Sequence, residues 1–316
     1  MSVRRLPLPG WILTLTIPLF VATWVVAPSE SLSGTVTPPG DIPVPPRAEE
    51  GAPILKLQTR PQTGRWRVDS PSTIFGLERS WYVAFTFDDG PHPIHTRRLL
   101  EVLDRFGVKA TFFVNGYWMD PTRRRNSQQA RAIVRRAYES GHTIANHTYS
   151  HAKLTHLSSE EQTREILDNH ALITRLTGQP PTLFRPPYAQ MTDHSRELIQ
   201  RLGYIEARWS ATAPDEEIDD PEELSRTVMS WLLTYNGGIV MLHDRFRHSV
   251  KAVELLLEAI KRHNCRRYRR RKPTLQVVSL DSFLRPPPQS WALRVEAEHH
   301  QHLERLRRDC SPGRSR

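Results

Sequence analysis

The sequence predicts an α/β protein built as a (β/α) barrel of about seven parallel strands. Seven apolar runs alternate with amphipathic stretches, an order typical of parallel strands covered by helices. About seven repeats favour a barrel over an open sheet, and barrels of this kind carry their chemistry at the carboxyl ends of the strands. The strand candidates are Tyr82–Phe87, Ala110–Val114, Thr143–Ala145, Thr182–Phe184, Tyr204–Ala207, Gly238–Leu242 and Leu275–Val278.

Six amphipathic stretches between these runs predict the covering helices. Ser158 and Thr192 stand where side chains cap the first turn of a helix, and Gly107 and Gly178 follow expected helix ends. The predicted helices are Thr96–Phe106, Ala130–Ser140, Ser159–Leu176, Asp193–Leu202, Pro221–Tyr235 and Ser249–His263.

The first 27 residues of the 316-residue chain predict a signal peptide or a membrane anchor. Arg4 and Arg5 precede an apolar run from Trp11 to Ala27, which is long for a cleaved signal and short for a spanning helix. Positive charge before the run directs the rest of the chain out of the cytoplasm. We therefore expect an extracytoplasmic protein, anchored by a single pass if the segment is retained and secreted or periplasmic if it is cleaved.

Composition divides the remainder of the chain into three predicted parts. Residues 28–64 are rich in proline and have no sustained periodicity, so they predict a semi-stiff linker. Residues 66–284 hold the alternating pattern and form the predicted barrel domain. Residues 285–316 are a basic, polar tail with room for a short surface helix.

The formal net charge of +10 indicates an anionic partner, which could be nucleic acid, a membrane or a cell-wall polymer. Export and the lack of interleaved aromatic residues argue against nucleic acid. We expect a monomer whose basic face adjoins an anionic wall or membrane. The two basic clusters are Arg123–Arg125 with Arg131, Arg135 and Arg136, and Lys261–Lys272.

The chain has two cysteines, Cys265 and Cys310, too few for a disulfide framework or a zinc ribbon. They could pair with each other in an exported protein, but their positions in the sequence do not decide it.

Two adjacent carboxylates, Asp88 and Asp89, stand at the tip of the first predicted strand, which Gly90 and Pro91 end. Their mutual repulsion is unfavourable unless a cation or a proton separates them. A metal ion would bind one carboxylate and leave the other as a base. The pair therefore predicts a hydrolytic site if histidines complete it.

Histidines follow two other predicted strands. His147 and His151 lie four residues apart, so one helical turn or a tight loop could aim both rings at a single ion. His243 ends the strand Gly238–Leu242 and could be a buried core residue, a ligand or a general acid. Asp215, in the loop after Trp209, could orient that histidine.

A further polar cluster follows the strand Thr182–Phe184. Arg185 and Tyr188 flank two prolines, which remove backbone donors and stiffen the turn. The arginine is therefore held in place, unless the segment is an ordinary proline-kinked loop.

Together these clusters resemble the motifs of the NodB-homology polysaccharide deacetylases, carbohydrate esterase family 4. The resemblance spans roughly residues 81 to 284 in the family's order and implies that family's distorted (β/α) barrel. Thr86–Pro91 resembles the first motif, His147–His151 the second, Arg185–Tyr188 the third, Leu242-His243 the fifth and, weakly, Trp209–Asp215 the fourth.

The resemblance implies a metal centre at Asp89, His147 and His151. The ion expected from the family is zinc, with cobalt, nickel or manganese as alternatives. Asp88 would be the general base, with Arg185 keeping it ionised and aimed.

The resemblance also implies an acid and a substrate pocket. His243 would protonate the leaving amine with support from Asp215, the best match to the fourth-motif aspartate. The backbone N–H of Tyr188 would bind the oxyanion, and Leu242 would line the acetyl pocket.

Three departures from the family pattern put the acyl-pocket wall in doubt. Glu216 replaces the usual tryptophan, Thr212 an earlier aspartate, and Ala189 the usual glycine of the third motif. Trp209 is the candidate to complete the wall instead.

The expected activity is metal-dependent hydrolysis of N-acetyl, or O-acetyl, groups on an extracytoplasmic polysaccharide such as peptidoglycan or an N-acetylglucosamine polymer. Two alternatives stand beside it: a non-catalytic wall-binding module that retains the fold, and a same-fold amidase acting on a small metabolite.

Overall fold

A computed structural model describes Thr73–Ile74, residues 81–283 and residues 289–310, all within one compact unit that spans residues 55–316. The predicted N-terminal segment, residues 1–27, and the linker, residues 28–64, lie outside the described residues. Within the described ranges, none of the helices has both the length and the apolar character needed to cross a bilayer.

The described strands form one sheet whose neighbouring strands all run parallel. They are β1 (Thr73–Ile74), β2 (Tyr82–Gly90), β3 (Thr111–Val114), β4 (Thr143–Asn146), β5 (Leu183–Phe184), β6 (Ile205–Ala207), β7 (Ala211–Thr212), β8 (Gly238–His243) and β9 (Gln276–Val277). The order across the sheet is β1-β6-β5-β4-β3-β2-β8-β7, with β9 paired to β2. Among these strands β1 and β7 do not pair with each other, so the barrel is open and distorted.

Each of the seven predicted strands is present, which confirms the α/β barrel class in this half-barrel form. The two additional strands, β1 and β7, are two residues each. So short a strand is defined by its pairing partner and has no periodicity of its own.

Six of the described helices correspond to the predicted ones. They are α1 (His95–Phe106), α2 (Ser127–Glu139), α3 (Ser159–Thr177), α4 (Asp193–Arg201), α5 (Pro221–Tyr235) and α6 (Arg247–Arg269), followed by α7 (Gln289–Cys310). Short 3₁₀ segments lie at Gly116–Met119, Leu154–His156, Pro187–Ala189 and Leu280–Phe283. Ser158 caps α3 by accepting a hydrogen bond from the Glu161 backbone N–H, and Gly107 ends α1 with a φ of 63°.

Strand β2 is the centre of the fold and is buried on both faces. Val83, Phe85 and Phe87 join the larger apolar cluster, while Ala84 joins a second cluster on the other face. A strand covered on both faces reads as a continuous apolar run rather than an alternating one. Burial of β2 therefore fixes the position of the acidic residues at its carboxyl end.

The C-terminal tail contributes α7, a helix of 22 residues that packs against α6. Cys310 of α7 is bonded to Cys265 of α6, so the two cysteines do pair. Leu306 is buried, and Arg305 donates a hydrogen bond of 3.0 Å to the Gly107 carbonyl oxygen. The described part of the tail is thus attached to the domain by packing, a hydrogen bond and a covalent link.

Candidate active site

A bulge at the end of β2 brings both acidic side chains to one side of the sheet. The register with β3 shifts between Asp88 and Gly90, and Asp89 has a φ of 70°. Bulges commonly redirect a side chain at the edge of a site. The Nε2 atom of His147 lies 3.9 Å from Asp88 Oδ2 and 3.6 Å from Asp89 Oδ1, so both carboxylates face the same imidazole.

Asp89, His147 and His151 form a cluster whose ligand atoms all lie within 4.8 Å of one another. Asp89 Oδ1 is 3.2 Å from His151 Nε2, and this oxygen is buried without a hydrogen-bond partner. One carboxylate and two imidazoles suit a divalent transition-metal ion that keeps open coordination positions. The unpartnered oxygen fits such an ion, since a cation would satisfy it.

The tautomer of His147 favours metal binding. Its Nδ1 lies 2.6 Å from the Arg185 carbonyl oxygen, which can only accept, so Nδ1 carries the proton. The Nε2 lone pair therefore faces Asp89, as in many second-shell-supported ligands. Burial, with the charge of His151, lowers the pKa of His147 to about 3, which keeps the ring neutral.

The segment from His147 to His151 is a tight loop and not a turn of helix. Thr148 and His151 have φ values of 66° and 64°, backbone conformations that persist where surrounding contacts impose them. Asn115 Nδ2 donates to the His147 carbonyl at 2.6 Å. Glu165 of α3 accepts from the Ser150 N–H at 2.8 Å and from its hydroxyl at 2.6 Å.

Arg185 is fully buried and forms an ion pair with Asp88, with 2.7 Å between Nη1 and Oδ1. Its Nη1 also donates to Thr86 Oγ1, and its Nε donates to the Ala207 carbonyl at 3.0 Å. The guanidinium carbon lies 4.0 Å from the centre of the Phe113 ring. These contacts leave the guanidinium a single orientation, aimed at Asp88.

His243 is supported by Asp215, as the sequence predicts. Asp215 Oδ1 lies 2.9 Å from His243 Nδ1, and its Oδ2 accepts from the His243 backbone N–H at 2.7 Å. The Ser249 hydroxyl also donates to Oδ2, at 2.7 Å. Burial alone would lower the pKa of His243, but the hydrogen bond and charge of Asp215 outweigh it and raise this pKa to about 9.

The remaining predicted residues lie around this cluster. The half-exposed ring of Tyr188 is 4.8 Å from that of His151, and Leu242 is buried at the end of β8. Trp209 lies against Arg185, 5.3 Å from its guanidinium carbon, and its Nε1 donates to Thr212 Oγ1 at 2.6 Å. All ten predicted site residues therefore lie at the carboxyl end of the sheet or in the loops that follow it.

Arg245 is a site residue that the sequence reasoning missed. Its Nη1 is 3.4 Å from Asp89 Oδ2, and its Nη2 is 2.5 Å from Glu216 Oε1. Glu216, which replaces the usual tryptophan, is thus the partner of an arginine at the metal cluster. Proximity to His243 in the sequence was the one signal that could have identified Arg245.

Asp244, also missed, is a buried acid behind the bulge. Thr96 Oγ1 donates to its Oδ2 at 2.6 Å, and burial raises the pKa of Asp244 to about 7. A Cβ atom at Gly90 would lie 2.4 Å from Asp244 Oδ2. The turn after Asp89 therefore approaches this carboxyl more closely than any side chain at position 90 would allow.

Comparison with known proteins decides the family. Residues 78–207 match the family model described as polysaccharide deacetylase. The chain carries a polysaccharide deacetylase domain. The resemblance inferred from the motifs is thereby confirmed, and the relatives of this domain are proteins of the bacterial cell wall.

Three curated relatives illustrate the similarity. The chain is 28% identical over 188 residues to a peptidoglycan-N-acetylglucosamine deacetylase of Bacillus cereus, covering 58% of this chain and 65% of that one. It is 31% identical over 178 residues to the peptidoglycan-N-acetylmuramic acid deacetylase PdaC of Bacillus subtilis, covering 56% and 35%. For the deacetylase PgdA of Listeria monocytogenes the figures are 30%, 179 residues, 57% and 36%. The chain therefore spans between about a third and two thirds of the length of these relatives.

Solved structures share the deacetylase fold. A peptidoglycan N-acetylglucosamine deacetylase superposes with a TM-score of 0.56 at 26% identity, over 67% of this chain and 92% of that one. PdaC of Bacillus subtilis gives 0.53 at 25% identity, over 77% and 100%. A CE4 family pseudoenzyme from Bacillus anthracis gives 0.57 at 21% identity, over 68% and 69%, which shows the fold alone. A fold shared by enzymes and a pseudoenzyme leaves activity to be argued from the site.

Proposed function

We propose that this protein is a metal-dependent hydrolase that removes N-acetyl groups from peptidoglycan or a related polysaccharide outside the cytoplasm. One observation carries the proposal: the Asp88–Arg185 pair and the His243–Asp215 pair both adjoin the cluster of Asp89, His147 and His151. Peptidoglycan as substrate draws support from the relatives, which are deacetylases of that polymer.

Asp89, His147 and His151 would hold the divalent ion, and zinc is the ion we propose first. Cobalt, nickel and manganese also accept a carboxylate with two imidazoles. When bound, the ion supplies Lewis-acid chemistry that polarises an acetyl carbonyl and acidifies a water. The neutral His147 and the unpartnered oxygen of Asp89 suit this role.

Asp88 is the general base in this proposal. Its carboxylate is held 2.7 Å from Arg185, whose positive charge favours the ionised form and whose contacts fix its direction. A base acts through geometry first, and Asp88 lies on the same side as the metal cluster. Arg185 is therefore a positioning residue.

His243 is the proposed general acid. Asp215 engages its Nδ1, so Nε2, which lies 3.9 Å from Asp89 Oδ2, is the nitrogen that faces the site. The raised pKa of His243 keeps a proton on the ring at neutral pH. That proton would go to the leaving amine, while Asp88 takes one from water.

The substrate pocket is the remaining part of the proposal. The backbone N–H of Tyr188 would donate to the developing oxyanion. Leu242 and Trp209 would line the space for the acetyl methyl group, with Trp209 taking the place of the tryptophan that Glu216 replaces. An O-acetyl ester could react in the same pocket.

The test is release of acetate from peptidoglycan and from N-acetylglucosamine oligomers. The protein would be stripped of metal and assayed before and after addition of zinc, cobalt, nickel or manganese. We expect release only with a metal. Absence of acetate from every polymer by a protein that binds the metal would support the alternative, a wall-binding module that retains the fold.

Two calls about the whole chain stay proposals as well. We propose a monomer, which sedimentation would check. We also propose that residues 1–27 act as an anchor or a cleaved signal, which the N-terminal sequence of the mature protein would decide.

A further inference from the structure

Two adjoining cavities extend from the metal cluster along the surface. The near cavity, about 280 Å³, is lined by Asp89 and Arg245, and the far cavity, about 310 Å³, is lined by Arg124. Pro91, His92 and Trp118 line both. We call this continuous surface, from Asp89 past Trp118 to Arg124, the Trp118 groove. Each cavity has about the volume of a small ligand pocket.

Arg124 lies at the far end of the groove and is held there by aromatic rings. Its guanidinium carbon is 4.2 Å from the centre of the Trp118 ring and 5.3 Å from that of Tyr117. Stacking uses the face of the planar guanidinium and leaves its N–H edge available. Arg124 is half-buried, so the rings fix its position while the edge stays accessible.

The charge of Arg124 is not neutralised by the protein. Among the described residues no carboxylate forms an ion pair with it, whereas Arg245 at the near end pairs with Glu216 and Asp89. The far cavity is lined by neutral and apolar residues apart from Arg124 and His92. An unpaired, pre-positioned guanidinium in an acid-free cavity is a binding site for an anionic group of a ligand.

The position of this cation relative to the metal cluster indicates which anion it meets. A polymer placed with one sugar at Asp89 and continuing along the Trp118 groove would bring a neighbouring unit to Arg124. Sugars also stack on aromatic rings, and Trp118 lies between the two ends. N-acetylmuramic acid carries a lactyl carboxylate beside every acetylated glucosamine of peptidoglycan, whereas chitin-type oligomers carry none.

We propose that Arg124 binds a carboxylate on the glycan unit next to the one that is deacetylated, so that the groove selects carboxylated over neutral polymers. The inference rests on the proposed function, because it presumes that an acetylated polymer lies in the groove. It makes Arg124 a specificity residue with no part in the chemical step.

A general attraction between a basic protein and an anionic polymer would give a similar preference, so the test needs a matched control. Arg125 is exposed and adjacent, and it lines neither cavity. Arg125→Gln removes the same charge from the same segment without altering the groove. Arg124→Gln removes the charge at the groove itself.

The experiment compares two substrates that differ in one group. Glycan strands freed of stem peptides are used as they are, or after their lactyl carboxylates are converted to amides. Acetate release and, in parallel, binding affinity are measured for the metal-loaded wild-type protein and both variants. We expect Arg124→Gln to lower kcat/KM and affinity about fivefold to tenfold on the carboxylated strands only. Arg125→Gln should change neither by more than about twofold.

The outcomes separate this inference from the proposed function. If acetate is released but Arg124→Gln affects both polymers equally, or Arg125→Gln has the same effect, the inference is wrong and the function stands. If neither polymer releases acetate but Arg124 governs the binding preference, the deacetylase proposal is wrong and the recognition of carboxylate stands. A preference seen only with strands that keep stem peptides would place the bound carboxylate on the peptide, which overturns the assignment to the sugar.

Discussion

At the scale of single residues, the two adjacent aspartates occupy different surroundings despite their shared place on β2. Asp88 is paired with Arg185, while Asp89 faces two imidazoles and holds an oxygen with no hydrogen-bond partner. The bulge at Asp89 creates this difference, because it changes the direction of one side chain and not the other.

Substitution of the two aspartates should therefore have different consequences. Asp88→Asn should leave the metal bound and lower kcat about 100-fold to 10,000-fold, since it removes a general base. Asp89→Ala should lower metal affinity, because it removes a ligand. Metal content by atomic absorption and acetate release would be measured on the same preparations. Equal metal loss in both variants would contradict the division.

The pKa of His243 can be tested directly in the metal-free protein. Asp215 raises it to about 9, so its stabilising contribution is full below the ordinary value of 6.5 and is lost as the pH rises through 9. Asp215→Asn should bring the pKa below 6.5, because burial then dominates. A metal ion at Asp89 should also lower it, since the charge of Asp89 contributes to the rise.

Titration of the His243 ring by NMR would check these values. The expected order of pKa is highest in the metal-free wild type, lower with metal and lowest in Asp215→Asn. A wild-type His243 that titrates at the ordinary value in the metal-free protein would contradict the assigned role of Asp215.

Arg245 places a positive charge 3.4 Å from the metal ligand Asp89 and should compete with the ion for it. Arg245→Ala should therefore raise metal affinity about threefold to tenfold, a modest effect because the side chain is partly exposed. Calorimetric titration with zinc would measure the Kd.

Two controls accompany the Arg245 experiment. Arg245→Lys keeps the charge and should stay near the wild-type affinity. Glu216→Gln leaves the arginine charge in place and should not raise the affinity. If Arg245→Ala weakens metal binding instead, Arg245 supports the cluster and does not compete with it.

At the scale of elements, the metal-binding histidines depend on a helix that does not itself reach the site. Helix α3 presents Glu165 beneath the loop, where its carboxylate accepts two hydrogen bonds from Ser150. The same helix places Asn169 Nδ2 2.8 Å from the Val114 carbonyl, so α3 also anchors the strand next to β2.

Glu165→Ala should loosen the loop and lower metal affinity, and it should reduce the free energy of unfolding by about 1–3 kcal/mol. The buried backbone N–H of Ser150 loses its partner in this variant. Metal titration and denaturant unfolding would be compared with Asp168→Ala, which removes an exposed carboxylate from the same helix. An unchanged Kd in Glu165→Ala would show that the loop is held by its other contacts.

The elements that the sequence predicts are those with a periodicity of their own. The run ending in Phe87 and the capped stretch after Ser158 carry the signal of an entire strand or helix, and the family motifs place the metal cluster at their ends. The pairing that defines Ala211–Thr212 and the reach of Arg245 to Glu216 depend on tertiary contacts. No local pattern in the sequence reports such contacts.

At the scale of the whole molecule, the C-terminal helix is part of the domain. Helix α7 buries Leu306 and joins α6 through the bond between Cys265 and Cys310. The sequence left this pairing undecided, because two cysteines can be a disulfide or two thiols until their distance is known.

Cys265→Ser with Cys310→Ser should lower the free energy of unfolding by about 2–4 kcal/mol, since the bond constrains the unfolded chain across a separation of 45 residues. Denaturant unfolding of the wild type with and without reductant provides the internal control. Acetate release by the folded variant should stay near wild type, because both cysteines lie outside the metal cluster. Unchanged stability under reducing and oxidising conditions would contradict the bond.

The close approach of Gly90 to Asp244 also limits how this family member can diverge. Any side chain at codon 90 would overlap the Asp244 carboxylate, 2.4 Å from the Cβ position, in a part of the chain that holds Asp89 in place. Neutral drift at codon 90 is therefore closed while Asp244 is present. The two codons can change only together, which couples the evolution of a strand end on β2 to that of the segment after β8, 154 positions later.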